Sequence, residues 1–220
     1  MLPDFPVPRI ARHERSDSPC AKHYTCRMQA VEIELKFSVD DLATLEQKLH
    51  ALGFHLDTPR TFESNTLYDT PDRTLRARKE LLRIRQYGAT WTLTHKAQPP
   101  GSENSDATKY KTRIETETQL ADGEALATVF SQLGYIPVFR YEKFRAEWSD
   151  ATGGHLVLDE TPIGIFAELE GDPAWIDATL AALKIPAELC TTESYGKLFL
   201  TWKERTQSKA EHLTFDAIKN

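Results

Sequence analysis

The sequence has few cysteines and no motif that would use them. The three cysteines, Cys20, Cys26 and Cys190, are an odd number without CxxC spacing, so we expect neither a disulfide framework nor a cysteine metal site. No apolar run approaches the roughly 18 residues that indicate a membrane-spanning helix, and no apolar core of a signal peptide precedes the first cysteine. These absences predict a cytoplasmic protein with no membrane partner.

Several common site motifs are also absent. The sequence contains no GxxxxGK(S/T), no HExxH and no Rossmann fingerprint, and its 7 histidines are not spaced as metal ligands. The 33 acidic and 27 basic residues give a formal charge of -6, so the field of the whole molecule does not attract a nucleic acid polymer. An anionic substrate would therefore need a local cluster of cations.

The chain divides into one domain and two tails. Residues 1–29 hold four prolines and no apolar period, which is typical of a disordered tail. Residues 30–205 alternate strand patterns with amphipathic helices and form one predicted domain, followed by a C-terminal tail at 206–220. The predicted strands are 31–38, 64–69, 81–87, 90–96, 109–118, 138–148, 154–160 and 164–170. Helices are predicted near 40–52, 122–133, 173–183 and 193–205.

Ionic residues alternate with apolar ones along most of these strands. Because residues two apart in a strand point to the same side, Glu32, Glu34 and Lys36 share a face opposite Val31 and Ile33. The same division separates ionic from apolar positions in later strands, where the ionic set is Arg83, Arg85, Lys109, Lys111, Arg113, Glu115, Glu117, Lys143, Arg145, Glu147, Glu168 and Glu170.

Two interpretations of the ionic faces are open. Antiparallel sheets often have one face in water, and the charges could simply be solvated there. However, nearly every same-face position is ionic in at least five strands, and the predicted helices could cover the apolar side. We therefore predict an α+β fold: an eight-stranded antiparallel β-tunnel, closed as a barrel with a charged interior and braced by helices outside.

The signs of the enclosed charges predict what the tunnel binds. Clustered arginine and lysine side chains suit phosphate oxygens. Clustered glutamates without histidine or cysteine suit Mg²⁺ or Mn²⁺, which bridge carboxylates to phosphates. Together they indicate a metal-bound polyphosphate.

The chain resembles a known family. The segment VEIELKF holds Glu32, Glu34 and Lys36 in an ExExK signature, and the chain is similar to the CYTH family of triphosphate tunnel enzymes. The similarity continues in order through LYDT, LLRIR, LTHK, RIETE, KFR, LDETPIGIFAELEG and SYGKL. It implies an eight-stranded β-tunnel that acts on triphosphate compounds with Mg²⁺ or Mn²⁺.

The resemblance also implies a role for each matching residue. The implied metal ligands are Glu32, Glu34, Glu115, Glu117, Asp159, Glu168 and Glu170. The implied triphosphate-binding residues are Lys36, Arg83, Arg85, Lys96, Arg113, Lys143 and Arg145. The implied catalytic residues are Glu32, Glu34, Lys36 and Lys96, with Lys96 a candidate base if neighbouring cations lower its pKa. Lys109, Lys111 and Lys197 fall on less diagnostic positions.

The resemblance leaves three functions open. Family triphosphatases let water attack the terminal phosphorus, and we favour this reaction, with tripolyphosphate, thiamine triphosphate or a nucleoside triphosphate as substrate. A class IV adenylate cyclase, which converts ATP to cyclic AMP and pyrophosphate, is the alternative. The bacterial cyclases carry a His-Phe pair before ExExK, where this chain has Arg27 and Met28. The third option is a non-catalytic polyphosphate- or nucleotide-binding module. A homodimer is left open.

Overall fold

The computed structural model describes residues 27–101 and 109–219, with side chains from residue 30 onward. Most of the predicted N-terminal tail, 1–29, therefore lies outside the described residues, and its last three residues already belong to the first strand. No helix within the described ranges is both long enough and apolar enough to cross a membrane.

Nine strands and five α-helices follow one another along these residues. The strands are β1 (Arg27–Val39), β2 (His55–Asp69), β3 (Leu81–Tyr87), β4 (Thr90–Ala97), β5 (Lys111–Leu120), β6 (Ile136–Ser149), β7 (His155–Thr161), β8 (Gly164–Glu170) and β9 (Cys190–Thr191). The helices are α1 (Leu42–Ala51), α2 (Thr74–Ala77), α3 (Gly123–Gln132), α4 (Pro173–Leu183) and α5 (Tyr195–Thr206). A short 3-10 helix, Ala187–Leu189, precedes β9.

The first eight strands close into a barrel in which every neighbouring pair is antiparallel. The order is β5-β4-β3-β2-β6-β7-β8-β1, and a β1–β5 pairing completes the circle. β1 pairs with β5 only as far as Glu34, and β9 takes the same side of β1 at Lys36 and Phe37. The predicted closed β-tunnel with helices outside is therefore confirmed.

The apolar positions of β1, β6, β7 and β8 point outward and are buried under two helices. Phe37, Leu156 and Leu169 are fully buried there, in one cluster with Leu49 of α1 and Ile176 of α4. This burial removes the apolar face from water, which stabilises the fold by about 25 cal/mol for each Å² buried. It also decides which side of these strands is left for the ionic residues.

The predicted helix ends are found in the structure. The Asp41 side chain accepts a hydrogen bond from the Thr44 backbone N–H at 3.0 Å and caps α1, and Asp122 caps α3 in the same way. Gly53 and Gly134 follow these helices with φ of 84° and 86°, values that favour glycine. α3 packs its Phe130 against Tyr68 and Ile84, covering the opposite part of the barrel.

The last helix packs against residues that point into the barrel rather than against its outside. Tyr195 and Phe199 of α5 form a cluster with Tyr141, Phe139 and Phe166, and the last three alternate with the outward-facing residues of β6 and β8. α5 therefore covers one end of the tunnel. Within the predicted C-terminal tail, 206–220, Leu213 is fully buried in the same cluster and its backbone bonds to β6.

Several elements differ from the sequence expectation, and β9 was not predicted at all. β2 begins at His55 rather than at 64, because the register shifts on both sides of Thr58 accommodate Pro59 within an irregular strand. β5 begins at Lys111 rather than at 109. The four-residue helix α2 was missed because it has no apolar period, and it forms where the Asp69 carboxylate accepts three backbone N–H groups.

Truncating a side chain of the outer core tests this packing. We expect Leu169→Ala to lower the free energy of unfolding by about 2–5 kcal/mol, since the site is fully buried between strands and helices. Leu133, which is 69% exposed, serves as the control. Leu133→Ala should change the free energy of unfolding by no more than about 0.5 kcal/mol. Urea denaturation measures both, and equal effects would contradict the described core.

Candidate active site

The tunnel encloses a cavity of about 920 Å³ whose wall is formed mainly by ionic side chains. The strand faces that the alternation predicted as ionic do converge on this space, so the interpretation of a purely solvated face is wrong. The charged residues that line it are Glu32, Glu34, Lys36, Arg83, Arg85, Lys96, Lys111, Glu115, Glu117, Lys143, Arg145, Glu147, Glu168, Glu170 and Asp172.

Three of the carboxylates meet at one place in the wall. Each of Glu32, Glu34 and Glu170 offers an oxygen, and these oxygens lie within 4.8 Å of one another. Glu32 and Glu34 lie two apart on β1, and the β1–β8 register places Glu170 directly opposite Glu34. We call these three residues the carboxylate cluster.

Burial and crowding change the protonation of the carboxylate cluster. Burial raises the pKa of Glu32 to about 7; Lys96 lowers it, but the charges of Glu34, Glu115 and Glu170 add to the rise. Burial would also raise the pKa of Glu170, yet the His155 imidazole, whose Nδ1 lies 3.8 Å from the carboxylate, holds this pKa below its usual value. Glu32 is therefore the member of the cluster whose ionisation its neighbouring carboxylates oppose.

The donor set fits a hard divalent cation. Magnesium and manganese prefer carboxylate oxygens, and the cluster offers three of them without a histidine or cysteine ligand. The raised pKa of Glu32 points the same way, because a carboxylate that resists ionisation among like charges gains most from a nearby cation. Glu32, Glu34 and Glu170 are thus the residues that would hold such an ion.

Two lysines contact this cluster. Lys96 on β4 donates to both carboxylate oxygens of Glu32, at 2.7 and 2.6 Å, and lies 3.3 Å from Glu115. Lys111 on β5 donates to Glu34. Burial alone would lower the pKa of Lys96, but the Glu32 carboxylate raises it above its usual value. Lys96 therefore keeps its proton, which speaks against its predicted role as a base.

A second group of cations is held rigidly by buried carboxylates. The Asp159 carboxylate accepts from Lys143 at 2.8 Å and from Arg145 at 2.7 and 2.6 Å, and it also accepts the Tyr195 hydroxyl at 2.6 Å. Glu63 lies 3.4 Å from the Lys143 ammonium on the other side. Burial would raise the pKa of Glu63, but Lys143 and Arg145 hold it well below its usual value.

Lys36 belongs to the same cationic region. It bonds to Glu168 directly across the β1–β8 ladder, and Arg145 also reaches Glu168 at 3.0 Å. Burial would raise the pKa of Glu168, but Lys36 and then Arg145 hold it well below its usual range. The Tyr195 ring lies 4.4 Å from the Lys36 ammonium and 4.9 Å from that of Lys143, so α5 supports both lysines.

Two arginines of β3 are bound less tightly to carboxylates. Arg83 donates to the Tyr141 hydroxyl at 3.0 Å and to Thr94 at 3.2 Å, and its distance to Glu117 is 3.9 Å. Arg85 has its Nε buried without an acceptor among the described residues. Its guanidinium lies 5.2 Å from the Tyr87 ring. Arg85 is therefore well placed to bind an added anion in the cavity.

In the structure the predicted site residues fall into separate spatial groups, which their spacing along the sequence did not show. Of the seven carboxylates predicted as metal ligands, only Glu32, Glu34 and Glu170 are brought together. Glu168 and Asp159 are bound to cations, Glu115 lies beside Lys96, and Glu117 accepts from Thr94. Among the predicted triphosphate-binding residues, Arg113 is opposite Glu32 in the ladder, but it is not among those lining the cavity.

The structure adds residues that the sequence reasoning missed. Glu63 and Asn65 are fully buried inside β2. Asn65 lies within the predicted strand 64–69, and Glu63 on the same face would have been included had that strand been extended towards Pro59. Lys111 enters the cavity, whereas Lys109, two residues earlier, pairs with Asp177 on α4 and is 60% exposed. Tyr195 belongs to the SYGKL segment matched in the sequence, and it lies at the start of α5, where strand alternation cannot show that its side chain enters the tunnel.

Comparison with known proteins identifies relatives of this fold. The family model described as CYTH domain matches residues 30–190. A protein of Methanocaldococcus jannaschii named putative adenylate cyclase is 29% identical over 140 residues, covering 64% of this chain and 76% of its own.

Solved structures share the architecture. A putative adenylate cyclase from Vibrio parahaemolyticus superposes with a TM-score of 0.62 at 19% identity, covering 77% of this chain and 97% of its own. A Hippeastrum protein, described as a putative adenylyl cyclase with a dominant triphosphatase activity, superposes with a TM-score of 0.56 at 20% identity, covering 80% and 96%. At these identities the likeness shows the fold.

The raised pKa of Glu32 predicts how cation binding depends on pH. Below about pH 7 Glu32 holds a proton that Mn²⁺ must displace, so the apparent affinity should fall by up to about tenfold per pH unit below 7 and level off above it. Calorimetric titration with Mn²⁺ at several pH values measures this. Glu32→Gln should bind Mn²⁺ more weakly and with less pH dependence; equal wild-type affinity at pH 6 and pH 8 would contradict the prediction.

Proposed function

Since this chain belongs to the CYTH domain family, whose members are triphosphatases or adenylate cyclases, we propose that it hydrolyses a triphosphate compound with a bound divalent cation. The observation that carries the proposal is the division of the cavity. A carboxylate cluster that fits a cation and a set of fixed lysines and arginines that fit phosphate line one enclosed space. A metal-bound triphosphate presents both kinds of group at once.

The cationic side chains would bind and orient the phosphates. Lys36, Lys143 and Arg145 are held in place by Glu168, Asp159 and Glu63 before any substrate arrives. Donors fixed in this way stabilise charge that develops on phosphoryl oxygens without reorganising during the reaction. Arg83 and Arg85 have fewer carboxylate contacts, so more of their guanidinium N–H groups remain available to phosphate oxygens.

The carboxylate cluster would hold Mg²⁺ or Mn²⁺ through Glu32, Glu34 and Glu170. Such an ion supplies charge neutralisation on the phosphates and a lower pKa for bound water. Asp159 and Glu168, by contrast, would act by fixing the cations that grip the phosphates, because their oxygens already accept bonds from lysine and arginine. This division of roles revises the larger metal set expected from the sequence.

The substrate proposal covers tripolyphosphate, thiamine triphosphate and nucleoside triphosphates. Hydrolysis is favoured because Arg27 and Met28 stand where the bacterial cyclases carry His-Phe. A protein of the same fold from Hippeastrum has a dominant triphosphatase activity, so the architecture accommodates hydrolysis. The name of the Methanocaldococcus jannaschii relative supports adenylate cyclase as the second candidate.

Product analysis distinguishes the candidates. Purified protein is incubated with tripolyphosphate, thiamine triphosphate or ATP in the presence of Mg²⁺ or Mn²⁺. Release of free phosphate supports the hydrolase, whereas cyclic AMP with pyrophosphate supports the cyclase. Thermal stabilisation by a triphosphate without any product would leave a binding module.

Removing one carboxylate of the cluster should stop turnover without unfolding the protein. We expect Glu34→Gln to lower kcat by about a hundredfold or more, since the variant loses a charged ligand in the crowded cluster, while the melting temperature stays close to that of the wild type. Glu188→Gln, which changes an exposed carboxylate, should leave kcat unchanged. Steady-state kinetics measures both, and near-wild-type turnover in Glu34→Gln would contradict the assigned role.

Arg85 offers a test of the phosphate-binding wall. Arg85→Gln should lower kcat/KM about 10- to 100-fold, because hydrogen bonds to a charged group contribute roughly 1.5–3 kcal/mol. Arg60, which pairs with Glu160 on the surface, provides the matched control, and Arg60→Gln should keep the wild-type kcat/KM. If both variants behaved alike, Arg85 would not bind the substrate.

A further inference from the structure

Two of the three residues in the carboxylate cluster are already occupied by lysines. Lys96 donates to both oxygens of Glu32, and Lys111 donates to Glu34. Lys96 uses both oxygens of Glu32 and Lys111 uses one oxygen of Glu34, so a divalent cation at Glu32, Glu34 and Glu170 would compete with both ammonium groups for the same carboxylates. Because a divalent cation and an ammonium group repel each other at such short range, a cation bound to these carboxylates would weaken their contacts with the two lysines.

Lys111 is positioned for a change of partner by the way the barrel closes. It is the first residue of β5, and its pairing with Glu34 is where the β1–β5 ladder ends. Its side chain lines the cavity and is 20% exposed, whereas the Glu34 side chain is 8% exposed. A flexible lysine at this point can reach either the carboxylate in the wall or a guest in the cavity.

A displaced Lys111 would need another anion. An ammonium group in a largely enclosed cavity is costly unless it is paired. The carboxylates of the cluster, Glu32, Glu34 and Glu170, would be bound to the cation, while Glu168 and Asp159 already accept hydrogen bonds from Lys36 and Lys143. The phosphate oxygens of a metal-bound triphosphate in the same cavity would supply such an anion.

We propose that Lys111 exchanges partners during binding: it neutralises Glu34 until a divalent cation takes that carboxylate, and it then binds a phosphate oxygen of the triphosphate. This inference rests on the proposed function, since it concerns the same cavity. Its consequence is that Lys111 opposes the binding of the cation alone and favours the binding of triphosphate once the cation is present. The residue thereby couples the two binding events.

The variant Lys111→Gln separates these two effects. Calorimetry measures the Kd for Mn²⁺ alone, and then the Kd for a bis-methylene analogue of tripolyphosphate, which resists hydrolysis, at saturating Mn²⁺. We expect the first Kd to fall and the second to rise, each by about fivefold or more, the lower end of typical coupling between sites. A residue with a merely structural role would weaken both. Lys109→Gln, on the exposed neighbour that pairs with Asp177, should leave both values unchanged.

The outcomes decide between the claims. If the wild type does not bind the analogue with Mn²⁺, the proposed function fails and the inference with it. If the wild type binds but Lys111→Gln shows no opposite changes, only the role of Lys111 is overturned. Should Lys111→Gln fail to fold, acetylation of wild-type lysines followed by mass spectrometry replaces it. Lys111 should then react faster with Mn²⁺ present and be protected when the analogue is added; a constant rate would overturn the exchange.

Discussion

Charged side chains that leave water must be paired, and this constraint shapes the interior of the barrel. Lys143 and Arg145 are almost fully buried, and they are tolerated because Asp159 and Glu168 accept their hydrogen bonds and Glu63 forms ion pairs with both. Removing one partner of such a buried ion pair lowers the stability of the fold strongly, because the remaining charge is left buried without a partner. The cationic wall is therefore part of the fold as well as of the site.

The helix at the end of the tunnel connects this wall to the rest of the molecule. Tyr195 donates to Asp159 and places its ring against two lysines, while Phe199 on the next turn packs with Phe139. A single helix thus closes one end of the cavity and fixes the cations that line it. We infer that the packing of α5, which is not one of the barrel strands, helps to fix the positions of the cations inside the tunnel.

The carboxylate cluster follows a different principle. Its three members lie close together, and lysines contact only two of them through hydrogen bonds. Burial and mutual repulsion raise the pKa of Glu32 to about 7. A divalent cation could therefore replace the lysine ammonium groups that now contact this part of the wall. The two regions together give a cavity that is rigid where phosphate would bind and exchangeable where a divalent cation would bind.

The sequence by itself separated the ionic from the apolar face of most strands, because alternate residues of a strand point to opposite sides, and the capped amphipathic helices indicated that the apolar side is covered. It also carried the ordered motifs that matched the family. Only the tertiary structure decided which inward residues meet. Alternation shows on which side of a strand a residue lies, but it shows neither how deep in the tunnel the side chain is nor which side chains of other strands it contacts. The stagger of β1, which pairs with β5 up to Glu34 and with β8 from Glu34 onward, places Glu170 and Lys111 beside the same carboxylate. That stagger arises from closing the barrel, so no local pattern in the sequence could reveal it.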